Sequence, residues 1–147
     1  MNLKKQIWVV GYMLTLFSVM ISCSTKADEY FSLNRDEISD IVVIDHHIET
    51  YTTTNLQADE RNSVFDSIYD AISSYSIIVE IEDSGACDAD NDKIITILQG
   101  QEEISLKRLC ATNSDGKYTV TMIYNGSGDV CYSDESLFQE LEMIMID

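Results

Sequence analysis

Carboxylates at alternate positions form the clearest cluster of potential metal ligands in this chain. Asp88, Asp90 and Asp92 are separated by single residues, and Asp83 precedes them in the same acidic stretch. Clustered carboxylate oxygens are the ligands that hard cations such as calcium prefer. The stretch is therefore a candidate divalent-cation site, and the favoured interpretation is a solvated acidic turn between two strands.

The run from Asp88 to Asp92 resembles the first half of an EF-hand calcium loop, with important departures. Its sixth position, where glycine makes the sharp turn, is Lys93, and its twelfth, where glutamate binds with both oxygens, is Gln99. The residues after Asp92 predict a strand rather than a helix. We therefore expect no resident cofactor, with calcium in a looser site as the alternative.

His46 and His47 are the only histidines. If residues 41–54 form one strand, neighbouring side chains project to opposite faces, so the two imidazoles do not share a metal. His47 then shares a face with Asp45 and Glu49. These three predict a patch for partner binding or for zinc, whereas His46 lies on the apolar face and is typical of a packed histidine.

Covalent catalysis finds little support in the sequence. There is no Gly-x-Ser-x-Gly turn, and acidic residues are so numerous that a carboxylate pair carries no information. We therefore expect a protein that is not an enzyme, with a small hydrolase as the least favoured alternative.

The N-terminus has the organisation of an export signal. Lys4 and Lys5 precede an apolar run, and Cys23 then follows a small residue. This pattern resembles the lipobox of bacterial lipoproteins, in which the signal is removed before the cysteine and the cysteine is acylated. The resemblance implies a signal peptide over 1–22, lipidation of Cys23 by fatty acids such as palmitate, and a lipid-anchored protein of the bacterial cell envelope.

The second residue after processing is Ser24, not the aspartate that retains some lipoproteins at the inner membrane. By resemblance to the enterobacterial sorting pattern, the outer membrane is favoured, with the domain facing the periplasm or the cell surface. If Cys23 is not acylated, the same signal releases a soluble secreted or periplasmic domain.

The charge of the mature chain restricts its partners. Removal of the signal leaves seven basic against 26 acidic residues, a net charge of −19. Nucleic acid is excluded, because phosphate contacts require clustered lysine and arginine. An anionic membrane surface would repel the domain, which leaves the acyl chains as the anchor. A basic protein would be attracted over long range; the alternative is that acidity only maintains solubility.

Three cysteines follow Cys23, which allows one disulfide and one free thiol if Cys23 is acylated. Cys110 ends a predicted strand at the end of the sheet where the acidic loop holding Cys87 lies. Cys131 follows two further chain reversals. The sequence therefore predicts a disulfide between Cys87 and Cys110.

Hydrophobic periodicity predicts one α+β domain. A strand at 41–54 precedes a helix at about 60–75, capped by Asp59. Further strands are predicted, followed by a helix capped by Ser133, and the predicted strands are 77–82, 93–99, 103–110, 117–124 and 129–132. Short turns require antiparallel pairing, so an antiparallel sheet of five or six strands should pack on one long helix, with a C-terminal helix.

The element order is similar to cystatin-like folds, although none of that family's binding motifs occurs. The expected organisation is a signal peptide over 1–22, a polar tether over 23–36 and a single domain over 37–147. The function favoured by these features is a lipid-anchored binding protein that engages a cationic protein, as inhibitors and immunity proteins do. A divalent-cation-binding envelope domain is the alternative.

Overall fold

The computed structural model describes residues 26–78, 93–113 and 115–146. These residues form a six-stranded antiparallel sheet in the order β2-β1-β3-β4-β5-β6, with three helices. The strands are β1 Ile38–Asp45, β2 Ile48–Thr52, β3 Ile94–Gln99, β4 Glu102–Asn113, β5 Gly116–Asn125 and β6 Val130–Asp134. The helices are α1 Ala27–Tyr30, α2 Ala58–Ser74 and α3 Glu135–Ile146. The predicted α+β class, with its long helix and C-terminal helix, is confirmed.

One face of the sheet is a continuous row of buried apolar side chains. Directly paired residues of antiparallel strands project to the same face, so the row can be read from the strand register. It crosses five strands and comprises Val43, Ile95, Leu106, Ile123 and Cys131. Every one of these residues is at most 6% exposed. This face requires a cover, and the helices provide it.

Helices α2 and α3 cover the apolar face and pack against each other. Apolar residues recur at intervals of three and four along both helices, which places them on one side of each. The buried members are Phe65, Ile68, Ala71 and Ile72 of α2 and Leu137, Phe138 and Leu141 of α3. All of them belong to the same hydrophobic core as the sheet row.

Neither α2 nor α3 has the N-cap residue that the sequence predicted for it. Helix α2 begins at residue 58 with Gln57 as its N-cap, and the Gln57 N–H donates to Glu60 Oε2 at 3.3 Å. Asp59 therefore lies within the first turn. At α3, Ser133 is buried in β6, and Asp134 Oδ1 accepts from the Ser136 N–H at 2.8 Å.

The Ser136 hydroxyl and N–H lower the pKa of the Asp134 carboxyl, because both donate to its charged form. Asp134 is thus the residue that caps the first turn of α3, although sequence reasoning chose its neighbour. Serine and aspartate are equally good N-caps. Asp134 has this position because β6 continues past Ser133.

The single strand predicted at 41–54 is wrong, because the chain reverses at His46 and His47. Both residues have positive φ, 47° and 67°. Such a turn normally carries glycine or asparagine, so its residue types gave no signal. The result is a β1–β2 hairpin in which Asp45 pairs with Ile48.

Part of the predicted polar tether belongs to the folded domain. Ala27, Phe31 and Leu33 are buried in the core. The buried Gln99 side chain also holds this segment, accepting from the Asn34 N–H at 2.6 Å and donating to the Ser32 carbonyl at 3.2 Å. Three apolar side chains within a polar stretch are enough to anchor it, so the folded part begins before residue 37.

The strand predicted at 77–82 lies partly outside the described residues. Its beginning forms a single bridge to β6, in which the Ile78 N–H donates to the Tyr132 carbonyl at 2.7 Å. The acidic loop, including Cys87, also lies outside the described residues.

The cysteines differ in state. Cys110 is disulfide-bonded, and its partner lies outside the described residues. Cys131 is a free, buried thiol, and burial raises its pKa to about 12. The pairing of Cys87 with Cys110 stays a prediction.

In the native protein, we expect Cys131 to resist alkylation at neutral pH, because the reactive thiolate is scarce and the site is buried. In denaturant without reductant, the acylated protein should show one reactive thiol, and the Cys87→Ser variant should show two. Mass spectrometry after alkylation measures this count. A variant count that stays at one would contradict the Cys87–Cys110 pairing.

Candidate functional site

The β1–β2 hairpin lies at one edge of the sheet, where β2 pairs with β1 alone among the described strands. Its register shifts between Val43, which pairs with Tyr51, and Ile44, which pairs with Glu49. Thr50 is the extra residue of this bulge, and its hydroxyl donates to the Val43 carbonyl at 3.3 Å. Because of the bulge, Ile48 and Tyr51 lie on the same face of β2 although they are three positions apart.

On the face toward the helices, β2 presents apolar side chains. Tyr51 pairs with the buried Val43, and Ile48 pairs with Asp45, which places both on this side. On the opposite, open face, Glu49 lies beside Ile44. Ile48 is 67% exposed, more than any other large apolar residue in the described part of the chain.

The carboxylate of Asp40 fixes the far end of the hairpin. It accepts the backbone N–H groups of Ile41 at 2.9 Å and of Thr54 at 3.2 Å. The Thr52 hydroxyl donates to it at 2.9 Å, and so does the hydroxyl of the buried Thr53. One side chain thus joins the start of β1 to the end of β2 and to the 3-10 turn that follows.

A cleft runs between this hairpin and the helices, and we call it the edge cleft. Its narrower part has a volume of about 250 Å³ and lies between the hairpin, Lys93 and α3. Its wider part has about 660 Å³ and lies between the 3-10 turn and both helices. The two parts share Tyr51 and Met145. The further apolar side chains that line it are Val43, Leu56, Val64 and Ile144.

Tyr51 lies partly buried among the side chains of the edge cleft. Partial burial, followed by the negative charge of Asp40, raises the pKa of its phenol. The phenol therefore stays neutral throughout the physiological range. It provides a half-buried, uncharged surface next to the free edge.

An ion network closes the narrow end of the edge cleft. Lys93 Nζ lies 2.7 Å from Glu142 Oε1 and 3.7 Å from Asp45 Oδ2, and Arg108 lies 3.5 Å from Glu142 Oε2. The hydrogen bond to Glu142 is the main reason that the pKa of Lys93 is raised. The guanidinium of Arg108 also lies 5.2 Å from the centre of the Phe138 ring. These contacts connect α3 to the hairpin and balance two carboxylates with two cations.

The three residues predicted as a partner-binding patch lie near one another, but not on one strand face. Asp45 ends β1 on the helix side, His47 is exposed in the turn, and Glu49 lies on the open face of β2. His46 is likewise exposed in the turn, with Nε2 at 3.5 Å from Asp45 Oδ1. The shared face was wrong because the hairpin turn was not recognised, and the partner-binding role remains a prediction.

The predicted lipidation site Cys23 lies outside the described residues, as do the predicted metal ligands Asp83, Asp88, Asp90 and Asp92. Among the residues that are described, no group of three or more histidine, cysteine or acidic residues could hold a metal ion. The calcium alternative therefore stays a prediction about the acidic loop. None of the helices in the described ranges is sufficiently long and apolar to cross a bilayer.

Sequence reasoning missed most of the edge cleft. The sequence predicts Glu142 and Arg108 only as members of a helix and a strand, and Lys93 as the start of a strand and a departure from a calcium loop. They meet because β3, β4 and α3 converge at the same end of the sheet. No local pattern in the sequence links these three positions, because they are far apart along the chain.

The charge of the hairpin edge is uniform. Between Arg35 and Arg61 the chain contains seven acidic residues and neither lysine nor arginine. This segment forms β1, β2, the 3-10 turn and the first turn of α2. The β1–β2 hairpin therefore lies in a stretch of the chain whose carboxylates are not offset by any lysine or arginine of the same stretch.

No protein-family model, no curated protein and no solved structure matches this chain.

Proposed function

We propose that this chain is a lipid-anchored protein of the bacterial cell envelope that binds a cationic protein, in the manner of inhibitors and immunity proteins. The anchor is the acylated Cys23, and the folded domain extends from it toward the periplasm or the cell surface. The partner is held by the acidic surface of the domain and not by a catalytic centre.

The observation that carries this proposal is the net charge, −17 for the whole chain and −19 for the seven basic and 26 acidic residues left after removal of residues 1–22, together with its uneven distribution. One end of the sheet gathers exposed carboxylates from the segment before β1 and from two sheet turns. Backbone hydrogen bonds hold these pieces together, from Gly100 to Glu37 at 3.2 Å and from Gly126 to Glu103 at 3.1 Å. The exposed acidic residues there are Asp36, Glu37, Glu102, Glu103 and Asp129.

Such a distribution produces a directional field and not only solubility. Like charges on one surface attract a basic partner at long range and orient it before contact. The basic residues Lys93 and Arg108 are instead paired with Glu142 near the other end of β3. The exposed carboxylates at the Glu37 end of the sheet therefore remain available to a partner.

Affinity purification from envelope extract tests the proposal. At about 0.02 M salt the protein should retain a protein of basic isoelectric point, and at about 0.5 M salt, where the field is screened within a few ångströms, most of it should be lost. A variant carrying Glu37→Gln, Glu102→Gln and Glu103→Gln should retain much less. Retention that is independent of salt would contradict the proposal.

The anchor is tested separately by the intact mass of the protein from the membrane fraction. We expect an acyl-modified Cys23 at the new N-terminus. A cytosolic protein with residues 1–22 still attached would contradict the envelope location.

A further inference from the structure

We propose that the β2 edge and the edge cleft form the docking surface for the cationic partner. The partner adds an extended, basic segment to β2 and places an apolar side chain in the edge cleft. This inference rests on the proposed function: the exposed carboxylates at the Glu37 end of the sheet attract the partner at long range, and the β2 edge and the edge cleft are where it is held.

The first support is the free edge itself. A strand at the end of a sheet offers backbone N–H and C=O groups to an incoming strand. β2 spans Ile48–Thr52 and has no second neighbouring strand among the described residues. At the opposite edge of the sheet, β6 already forms a bridge to Ile78. The described structure therefore leaves β2 as the better edge for strand addition.

The second support is the chemistry of the two faces next to that edge. An added strand projects its side chains alternately to the helix side and to the open side. On the helix side it would meet Ile48 and Tyr51 and the mouth of the edge cleft. On the open side it would meet Glu49 and, beyond Thr52, the carboxylate of Asp40. A segment that alternates apolar and basic residues satisfies both faces.

The third support is the edge cleft, which provides space for an apolar anchor. Its wider part is bordered by Tyr51, Leu56, Val64 and Met145, and Glu60 is the one charged side chain among the described residues that line it. Partly buried pockets of this kind hold the few side chains that contribute most to a protein interface. A leucine or phenylalanine of the partner would fit such a site.

The sign of the charge selects the occupant. The segment from 36 to 60 contains acidic residues and no lysine or arginine, so an incoming strand of the same charge would be repelled. A second copy of this chain carries the same −19 and is disfavoured for that reason. A basic segment of another protein matches both the negative charge of the 36–60 segment and the apolar lining of the edge cleft.

The test uses the protein as processed by the cell and a defined probe. The probe is a labelled eight-residue peptide that alternates lysine with valine or leucine, with both termini blocked. A matched peptide carries N-methyl groups on alternate amides, which removes strand hydrogen bonds and keeps the charge and the side chains. Fluorescence anisotropy measures affinity, and amide exchange measures the protection of β2.

We expect the unmodified peptide to bind, to slow exchange within Ile48–Thr52, and to bind at least about tenfold more tightly than the N-methylated peptide. Glu49→Lys should weaken binding about tenfold at low salt. The matched control Asp70→Lys, which reverses an exposed charge on the outer side of α2, should change it less than about twofold.

The apolar anchor is tested by Val64→Arg, which fills the edge cleft, and by the milder Met145→Gln if the first variant melts early. Either folded variant should weaken the peptide severalfold. Equal binding of the two peptides, or unchanged exchange in β2, would overturn the docking surface. A dimer of the protein alone in which Ile48–Thr52 is already protected would overturn it in favour of a second copy.

Failure of the docking surface and failure of the proposed function can be distinguished. If the basic protein retained from envelope extract binds the wild type and Val64→Arg equally, the docking surface is wrong and the proposed function stands. If the wild type retains no basic protein at low salt, the proposed function is wrong and the docking surface has no partner.

Discussion

Replacing Phe138 with alanine is expected to lower the free energy of unfolding by about 3–5 kcal/mol. Phe138 is fully buried in α3, and its backbone N–H donates to Thr121 Oγ1 at 3.2 Å. Truncation leaves a cavity between α3 and the sheet that the surrounding β-structure cannot fill by local movement. It also removes the ring that lies 5.2 Å from the Arg108 guanidinium. Because Arg108 contacts Glu142, the change should also loosen the narrow end of the edge cleft.

Urea denaturation followed by circular dichroism measures this loss, provided that the slope with denaturant is unchanged. The matched control is Met143→Ala, because Met143 lies on the same helix and is 61% exposed. The control should change the free energy of unfolding by no more than about 0.5 kcal/mol. A Phe138→Ala variant as stable as the Met143→Ala variant would contradict the packing described for α3.

Removal of the Asp40 carboxylate is expected to lower the free energy of unfolding by about 2–3 kcal/mol, since hydrogen bonds to a charged acceptor contribute more than neutral ones. In Asp40→Ala, the N–H groups of Ile41 and Thr54 and the hydroxyls of Thr52 and Thr53 lose this acceptor. Much of the effect should fall on β2, because Asp40 is what joins its end to β1.

Two variants separate the hydrogen bonds of Asp40 from its charge. Asp40→Asn keeps one acceptor oxygen and should lose roughly half as much stability. Asp36→Ala removes an exposed carboxylate of the same segment and should have little effect. Amide exchange should quicken in Ile48–Thr52 in Asp40→Ala and not in Asp36→Ala. Equal exchange in the two variants would contradict the role given to Asp40.

The hairpin edge is built in a way that limits self-association. β2 is only five residues long, carries a bulge at Thr50 and presents Glu49 beside the edge. Short length, bulges and charge are the usual means by which proteins protect a free edge. The negative charge beside the edge repels a second copy of this chain, whereas it attracts a basic strand. Protection and partner selection can therefore arise from the same residues.

Most of the fold could be predicted because it follows from local patterns. Alternation along 93–99, 103–110 and 117–124 identified β3, β4 and β5, and recurrence at three and four residues identified α2 and α3. The turns at Asp115-Gly116 and Asn125-Gly126 carry residues that tolerate tight reversals. Where the turn residues were unusual, as at His46 and His47, the hairpin was missed and β1 and β2 were merged.

The candidate site was less predictable than the fold, because its residues are distant in sequence. Lys93 and Glu142 make their 2.7 Å contact across 49 positions, and no local pattern links them. The predicted cluster of Asp45, His47 and Glu49 lies around one hairpin, but its shared strand face was wrong because the turn at His46 and His47 was not predicted. The acidic loop at Asp83–Asp92 remains a sequence prediction.

The amino-acid sequence alone determined the charge, the export-type N-terminus and the alternation that makes a one-sided sheet, since each depends on residue types at short spacing. The tertiary structure decided which described strands lie at the edges of that sheet, which side chains border the edge cleft, and that Ala27, Phe31 and Leu33 join the core. These properties arise from contacts between distant segments, where burial and strand register select among arrangements that are equal on local grounds.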